Sequence, residues 1–194
     1  MEYSFFLVYL GIVAAVIYGF AYLFKHHTQL KDYKGALLAF SFMAMFGPVG
    51  EILVGNTYHL LTGTYLWQYQ IYPIHGGYTS LIAPAMWGVS GLYIHLFWGR
   101  IGQIGYRLVR YTVASADIIA GEVMFNGLYF LLTGGKYVFY YQPPDLLHFS
   151  SLLTIPFYIV AAFAIMRALK YSAAHKRFYS VLFLFVSVVV VYLI

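Results

Sequence analysis

The chain has no cysteine, so disulfides and thiolate chemistry are closed to it. Charge is scarce too: Asp, Glu, Lys and Arg make up 9% of the 194 residues, against roughly 25% in an ordinary soluble domain. No glycine-rich phosphate loop and no nucleophile elbow can be found, and no lysine sits inside an apolar run as a retinal-type Schiff base needs. Acidic residues number only six against eleven Lys and Arg, which leaves a net charge of +5.

Hydrocarbon fills the gap. The chain is 62% hydrophobic with a mean hydropathy of +0.77, and its apolar stretches fall at 5–24, 35–61, 79–98, 107–132, 149–169 and 178–194. A bilayer core takes about 20 helical residues to cross, so the sequence predicts an all-α, polytopic membrane helix bundle of about six transmembrane helices. These spans use most of residues 1–194, which are read as a single transmembrane domain with no room for a soluble one. The first span lacks a basic residue before it and a small-residue cleavage site after it, so it is expected to be a retained helix and not a secretory signal.

Orientation follows from where the cations lie, because short cytoplasmic loops concentrate Lys and Arg. Lys25, Lys31 and Lys34, then Arg100, Arg107 and Arg110, then Arg167, Lys170, Lys176 and Arg177 gather at alternate connections, and Lys136 alone falls on the other side. Both termini are therefore expected to be non-cytoplasmic. The same bias accounts for the pI of about 9.2 without a nucleic-acid partner.

Self-similarity appears at an offset of 71 residues, which carries Gly50-Glu51 onto Gly121-Glu122. In that register Tyr58 meets Tyr129, Thr62-Gly63 meets Thr133-Gly134, Tyr69 meets Tyr140, Pro73 meets Pro144, and Ser80-Leu81 meets Ser151-Leu152. The reading is a tandem parallel repeat, with units at about 35–100 and 106–171 flanked by the first and sixth spans. Between the two helices of each unit runs an outer connection rich in Tyr, Trp, Phe and Gln. It suits an interfacial aromatic belt, or a lid over a lipid-facing cavity.

Glu51 and Glu122 fall near the middle of their spans, where a carboxylate costs roughly 2.5–3.5 kcal/mol on insertion scales. Each needs a partner, a wet cavity or a proton, and two such carboxyls close together do not both ionise readily. One would then be a neutral acid, and the pair becomes the candidate catalytic acid and base. An interhelical hydrogen bond from a protonated Glu is the plainer alternative. Seven residues on, Tyr58 and Tyr129 share the helix faces of the two glutamates, and Asn126 is one turn from Glu122, within reach of a direct bond. Pro48 is expected to kink the second span beside Glu51, and Pro84 and Pro156 to open the outer half of the bundle. Asp117 points about 140° away from Glu122 around the helix and is expected to serve a structural contact, with Arg110, two turns before it, placed to pair with it or to snorkel. His59 and His95 are further candidate substrate contacts. His59, His75 and His148 lie toward one side with Asp145, but match no compact ligand motif, so no metal is expected.

The run from Glu51 through Thr62-Gly63, Tyr65 and Tyr69 to Pro73, Pro84 and Trp87 resembles the carotenoid-biosynthesis membrane proteins, the bacterioruberin-type hydratases and cyclases. Separately, NGLYFLL from Asn126 and APAMWG from Ala83 are similar to parts of the emopamil-binding sterol-isomerase family. Together these short likenesses cover about a quarter of the chain. They imply intramembrane acids that protonate a carbon–carbon double bond of an isoprenoid. The glutamates would supply and remove protons, the faces of Tyr58, Tyr129 or Trp87 would stabilise a carbocation, and no redox cofactor would be needed. The expected partners are a hydrophobic small molecule or lipid and the bilayer, with a homo-oligomer or a membrane-complex partner as a further expectation. A proton- or cation-coupled transporter, a lipid-binding carrier and an accessory subunit are the competing readings.

Overall fold

A computed structural model describes Gly11 and residues 32–193. The expected first span, and Lys25 and Lys31 with it, lies outside the described residues. Five helices follow: α1 Tyr33–Thr62, α2 Ala83–Ile101, α3 Arg107–Leu132, α4 Ile155–Ser172 and α5 Lys176–Tyr192. Among the described residues, three stretches are long and apolar enough to cross a membrane: Tyr33–Thr62, Arg107–Leu132 and Leu152–Tyr192, the last holding both α4 and α5 around a 3-10 turn. Leu53, Met124, Val160 and Phe185 point outward from α1, α3, α4 and α5, as side chains do where the solvent is lipid.

Local chemistry sets the ends of α1. The Asp32 carboxylate caps it by accepting from the Gly35 N–H at 3.0 Å, and Gly63, at φ 72°, ends it in the left-handed conformation that glycine adopts without a steric cost. Pro48 lies inside the helix and has no N–H to give, which frees the carbonyl of Ala44. The Ser187 hydroxyl of α5 donates to that carbonyl at 2.8 Å, so α5 packs on α1 where the proline opened the ladder. Small residues bring α1 and α2 close: a Cβ on Gly91 would stand 2.3 Å from the Ala39 carbonyl oxygen. Phe42, Met43, Ile94, Trp98, Ala114 and Ile165 knit α1 through α4 into one core.

The bundle departs from the all-α expectation in its connections. Strand β1, Trp67–Tyr69, pairs antiparallel with β4, Phe139–Tyr141, with Gln68 opposite Tyr140. Flanking bonds from Gln70 N–H to the Val138 carbonyl and from Gln142 N–H to the Leu66 carbonyl, each 2.9 Å, extend the ladder. Two residues of β2, Pro73–Ile74, pair with β3, Thr79–Ser80. Period-2 alternation turns Trp67, Tyr69, Phe139 and Tyr141 inward, onto Leu66, Ala83, Tyr129 and Val138.

Several expectations are corrected. Pro84 and Pro156 are the second residues of α2 and α4, where a missing N–H breaks no bond, so they start helices and do not open them. Residues 149–154 precede α4 as an extended segment and a 3-10 turn. Asp117 does not meet Arg110: it accepts from the Tyr93 hydroxyl at 2.8 Å and the Trp98 indole at 2.9 Å, both on α2. Arg110 folds back on the preceding loop, donating to the Ile104 carbonyl.

Candidate functional site

Beneath the β1–β4 pair, each glutamate sits in a shell of hydroxyl and indole donors. Glu51, on α1, accepts from the Tyr69 hydroxyl and the Trp87 indole N–H (2.9 Å) at Oε1, and from the Thr79 hydroxyl (2.5 Å) at Oε2. Glu122, on α3, accepts from the Tyr158 hydroxyl at Oε1 and the Ser150 hydroxyl (2.6 Å) at Oε2, while the Tyr141 hydroxyl is 3.2 Å from both oxygens. The spacings run in parallel. From Glu51 the donors are 18, 28 and 36 residues on; from Glu122 they are 19, 28 and 36.

Each donor is placed by its element. Tyr69 and Tyr141 are inward positions of the paired strands, Thr79 belongs to β3, Ser150 precedes α4, and Trp87 and Tyr158 occupy the first turns of α2 and α4. The Trp87 ring lies where a side chain of Gly47 would be, 2.0 Å from the ideal Cβ, so only glycine there lets the indole reach the carboxylate one turn later. Rings bridge the halves, with Trp67 on Tyr141 at 5.7 Å and Tyr69 on Phe139 at 5.6 Å.

The Tyr69 hydroxyl titrates well above the ordinary tyrosine range, through burial first, then the Glu51 charge and hydrogen bond, then Glu122 and Tyr141. Tyr141 is raised as well, by burial and then the Glu122 charge, with its bond to Tyr158 opposing. Each hydroxyl feels both glutamates, so the two shells form one electrostatic site. Among the described residues no cation pairs with either carboxylate; the ion pair there is Lys176 with Asp32, at the far end of α1. Nor does any group of three or more His, Asp or Glu among the described residues have the placement to hold a metal.

Of the residues singled out from sequence, Glu51 and Trp87 meet directly. Tyr129 is buried in the aromatic core below the strands. Tyr58 joins Thr64, Tyr65, Gln142 and Pro143 around an open recess of about 520 Å³, and the His59 ring lies tilted against Tyr65, 4.7 Å between centroids. His95 is eight residues beyond Trp87, about 12 Å along the helix, beside Gly35 and Asp32, so it does not join the glutamates. The direct Asn126–Glu122 bond is not made. Both ends of the amide are taken by the outer loop: Nδ2 donates to Phe139 O (2.7 Å) and Phe149 O (3.3 Å), and Oδ1 accepts from Val138 N–H (2.9 Å).

Tyr69, Thr79, Tyr141, Ser150 and Tyr158 were not singled out from sequence as partners. The offset of 71 does carry Thr79 onto Ser150 and Trp87 onto Tyr158, a signal open to anyone asking what hydroxyls the repeat places near its glutamates.

Fold and site together define a helical, membrane-type chain with two glutamates held by hydroxyl and indole donors under a strand-paired aromatic cover. No family model, no curated protein and no solved structure matches the chain.

Proposed function

We propose that this protein is an intramembrane enzyme that acts on an isoprenoid or other hydrophobic lipid by acid–base chemistry, as a cyclase, hydratase or double-bond isomerase. The observation that carries the reading is the pair of glutamates, each bonded by three neutral donors and by no cation among the described residues. An ionisable side chain at bilayer depth is expensive unless it is paired, wetted or neutral; donors without a cation leave a carboxyl able to gain and lose a proton. An apolar groove of about 380 Å³ opens on another face of α3, lined by Ser115, Ile119, Val123, Leu152 and Ile155 among others, and suits a hydrocarbon chain.

In this proposal one carboxyl protonates an alkene, aromatic faces stabilise the cation, and the other carboxyl removes a proton or activates water. Trp87 and Tyr158 then serve both as carboxyl partners and as ring faces. The test uses vesicles in deuterated water containing an acyclic polyisoprenoid hydrocarbon. Protonation incorporates deuterium into the lipid, read by mass spectrometry, and Glu51→Gln and Glu122→Gln should each lower incorporation at least 100-fold. Unchanged incorporation in both variants sinks the proposal.

We further propose six spans around a tandem duplication, with both termini non-cytoplasmic. The matched donor spacings support the duplication, as do three consecutive left-handed residues at 75–77 and again at 146–148. The register is then not gapless: strand pairing and carboxylate contact make Tyr141, not Tyr140, the counterpart of Tyr69. One extra residue enters after Gly134 and one is lost before Pro144. A transporter whose repeats rock is less well supported, because the strand pair ties the two outer connections together.

A further inference from the structure

Where α1 and α3 end, three rings clasp the connection that follows. After α3 they are Phe130, Tyr137 and Phe149, with centroids 5.0, 5.4 and 5.6 Å apart. After α1 the positions 71 or 72 residues earlier hold His59, Tyr65 and Tyr78, with centroids 4.7, 5.4 and 6.5 Å apart. Phenylalanine serves this packing at two of the three places in the second half, so the packing itself needs neither the imidazole of His59 nor the hydroxyl of Tyr78. The polar version carries a cost. His59 Nδ1 is buried with no hydrogen-bond partner among the described residues, and so is His75 Nε2, where the second half has Leu146. The first half is polar at places where its counterpart is hydrocarbon.

Against this cluster opens the recess of about 520 Å³, a size that admits a small ligand. Tyr65 belongs to both the cluster and the recess. Tyr58 and Gln142 bring a hydroxyl and an amide to its wall, neither with a side-chain partner among the described residues, and Thr64 adds a hydroxyl shared with Thr62. The second half does not repeat this wall, because Tyr129, the counterpart of Tyr58, is buried beneath the strands. No charged side chain lines the recess, so an anion or a cation meets no counter-charge there. Tyr58 is one turn from the last residue of α1, which sets the recess at headgroup level of that span, and two turns, about 10 Å, beyond Glu51. The recess is therefore separate from the carboxyl shells.

A saturated ring that carries several hydroxyls matches these features. Its C–H faces pack on electron-rich tyrosine rings, and its hydroxyls both donate to and accept from an amide and a phenol. We propose that the recess of Tyr58, Thr64, Tyr65 and Gln142, backed by His59, binds a neutral glycosyl group at the membrane surface. The site stands whether or not the glutamates perform acid–base chemistry.

The test measures retention of tritiated monoglucosyl and monogalactosyl diacylglycerol by the full chain in phosphatidylcholine nanodiscs. At least one of them should bind saturably, once per chain, and resist displacement by excess unlabelled diacylglycerol. Tyr58→Leu and Gln142→Leu should each weaken retention at least tenfold, and the exposed Gln142 gives a variant that folds even if Tyr58→Leu does not. His59→Phe, which installs the ring that the second half uses at that place, should keep the melting temperature and weaken retention. Displacement by millimolar methyl glucoside or methyl galactoside means that a sugar in solution suffices, and displacement by glycolipid alone assigns the site to a lipid headgroup; either outcome supports a glycosyl site. Retention of both glycolipids no better than diacylglycerol, displacement by tetramethylammonium, which marks an aromatic cage for a cation, or retention unchanged in all three variants overturns it.

Discussion

Gly47 carries no side chain because the Trp87 ring occupies that place. Gly47→Ala should therefore push the indole off Glu51 while the helix itself gains propensity of about 1 kcal/mol. Lipid deuteration is expected to fall at least tenfold, with thermal stability the control that separates a displaced ring from a broken fold. At the far end of α1, Asp32 both caps the helix and pairs with Lys176. Its carboxyl titrates below the ordinary aspartate range because of the Lys176 hydrogen bond first and the Gly35 N–H second. A depressed folded value stabilises at any pH above the unfolded value of about 3.9, and that stabilisation is lost as pH falls through the folded one. Asp32→Asn keeps the cap and removes the charge, so its melting temperature should lie below wild type at pH 7 and converge on it in acid. Asp117 marks the limit of sequence reasoning at this scale. Sequence spacing offered it Arg110, and only the packing of α2 on α3 reveals that Tyr93 and Trp98 are its partners.

Helices were legible and the connections between them were not. The expected span 107–132 coincides with α3, Arg107–Leu132, and 35–61 is within two residues of α1, since twenty or more apolar residues leave little choice but a helix. Strands β1 and β4 are three residues long, too short for alternation to declare itself, and their pairing joins segments about 70 residues apart. Their turns carry the clearest local strain. Residues 75–77 and 146–148 are all left-handed, but the first set is His-Gly-Gly and the second Leu-Leu-His. A side chain in that conformation costs roughly 1–2 kcal/mol, so Leu147→Gly should raise stability by about 1 kcal/mol in reversible denaturation. Asn126→Ala should act in the opposite sense, by about 3 kcal/mol, since it strips the Val138 N–H and the Phe139 carbonyl of their buried partner.

Across the whole molecule, the two glutamate-bearing halves meet through the strand pair, the ring contacts above the carboxylates and the α5–α1 packing. Chains 1–104 and 105–194, expressed together, should assemble and co-purify, and Gln70→Pro, which removes the N–H given to Val138, should reduce the recovered complex severalfold.

The bond between Ser187 and Ala44 has a meaning for biogenesis. From the moment α1 enters the bilayer, its proline-freed carbonyl awaits a hydroxyl synthesised 143 residues later. At about 5–20 residues per second that wait is roughly 7–29 s, during which a nascent chain displays an unsatisfied polar group to lipid. A ribosome stalled before residue 187 would leave that carbonyl without its Ser187 donor.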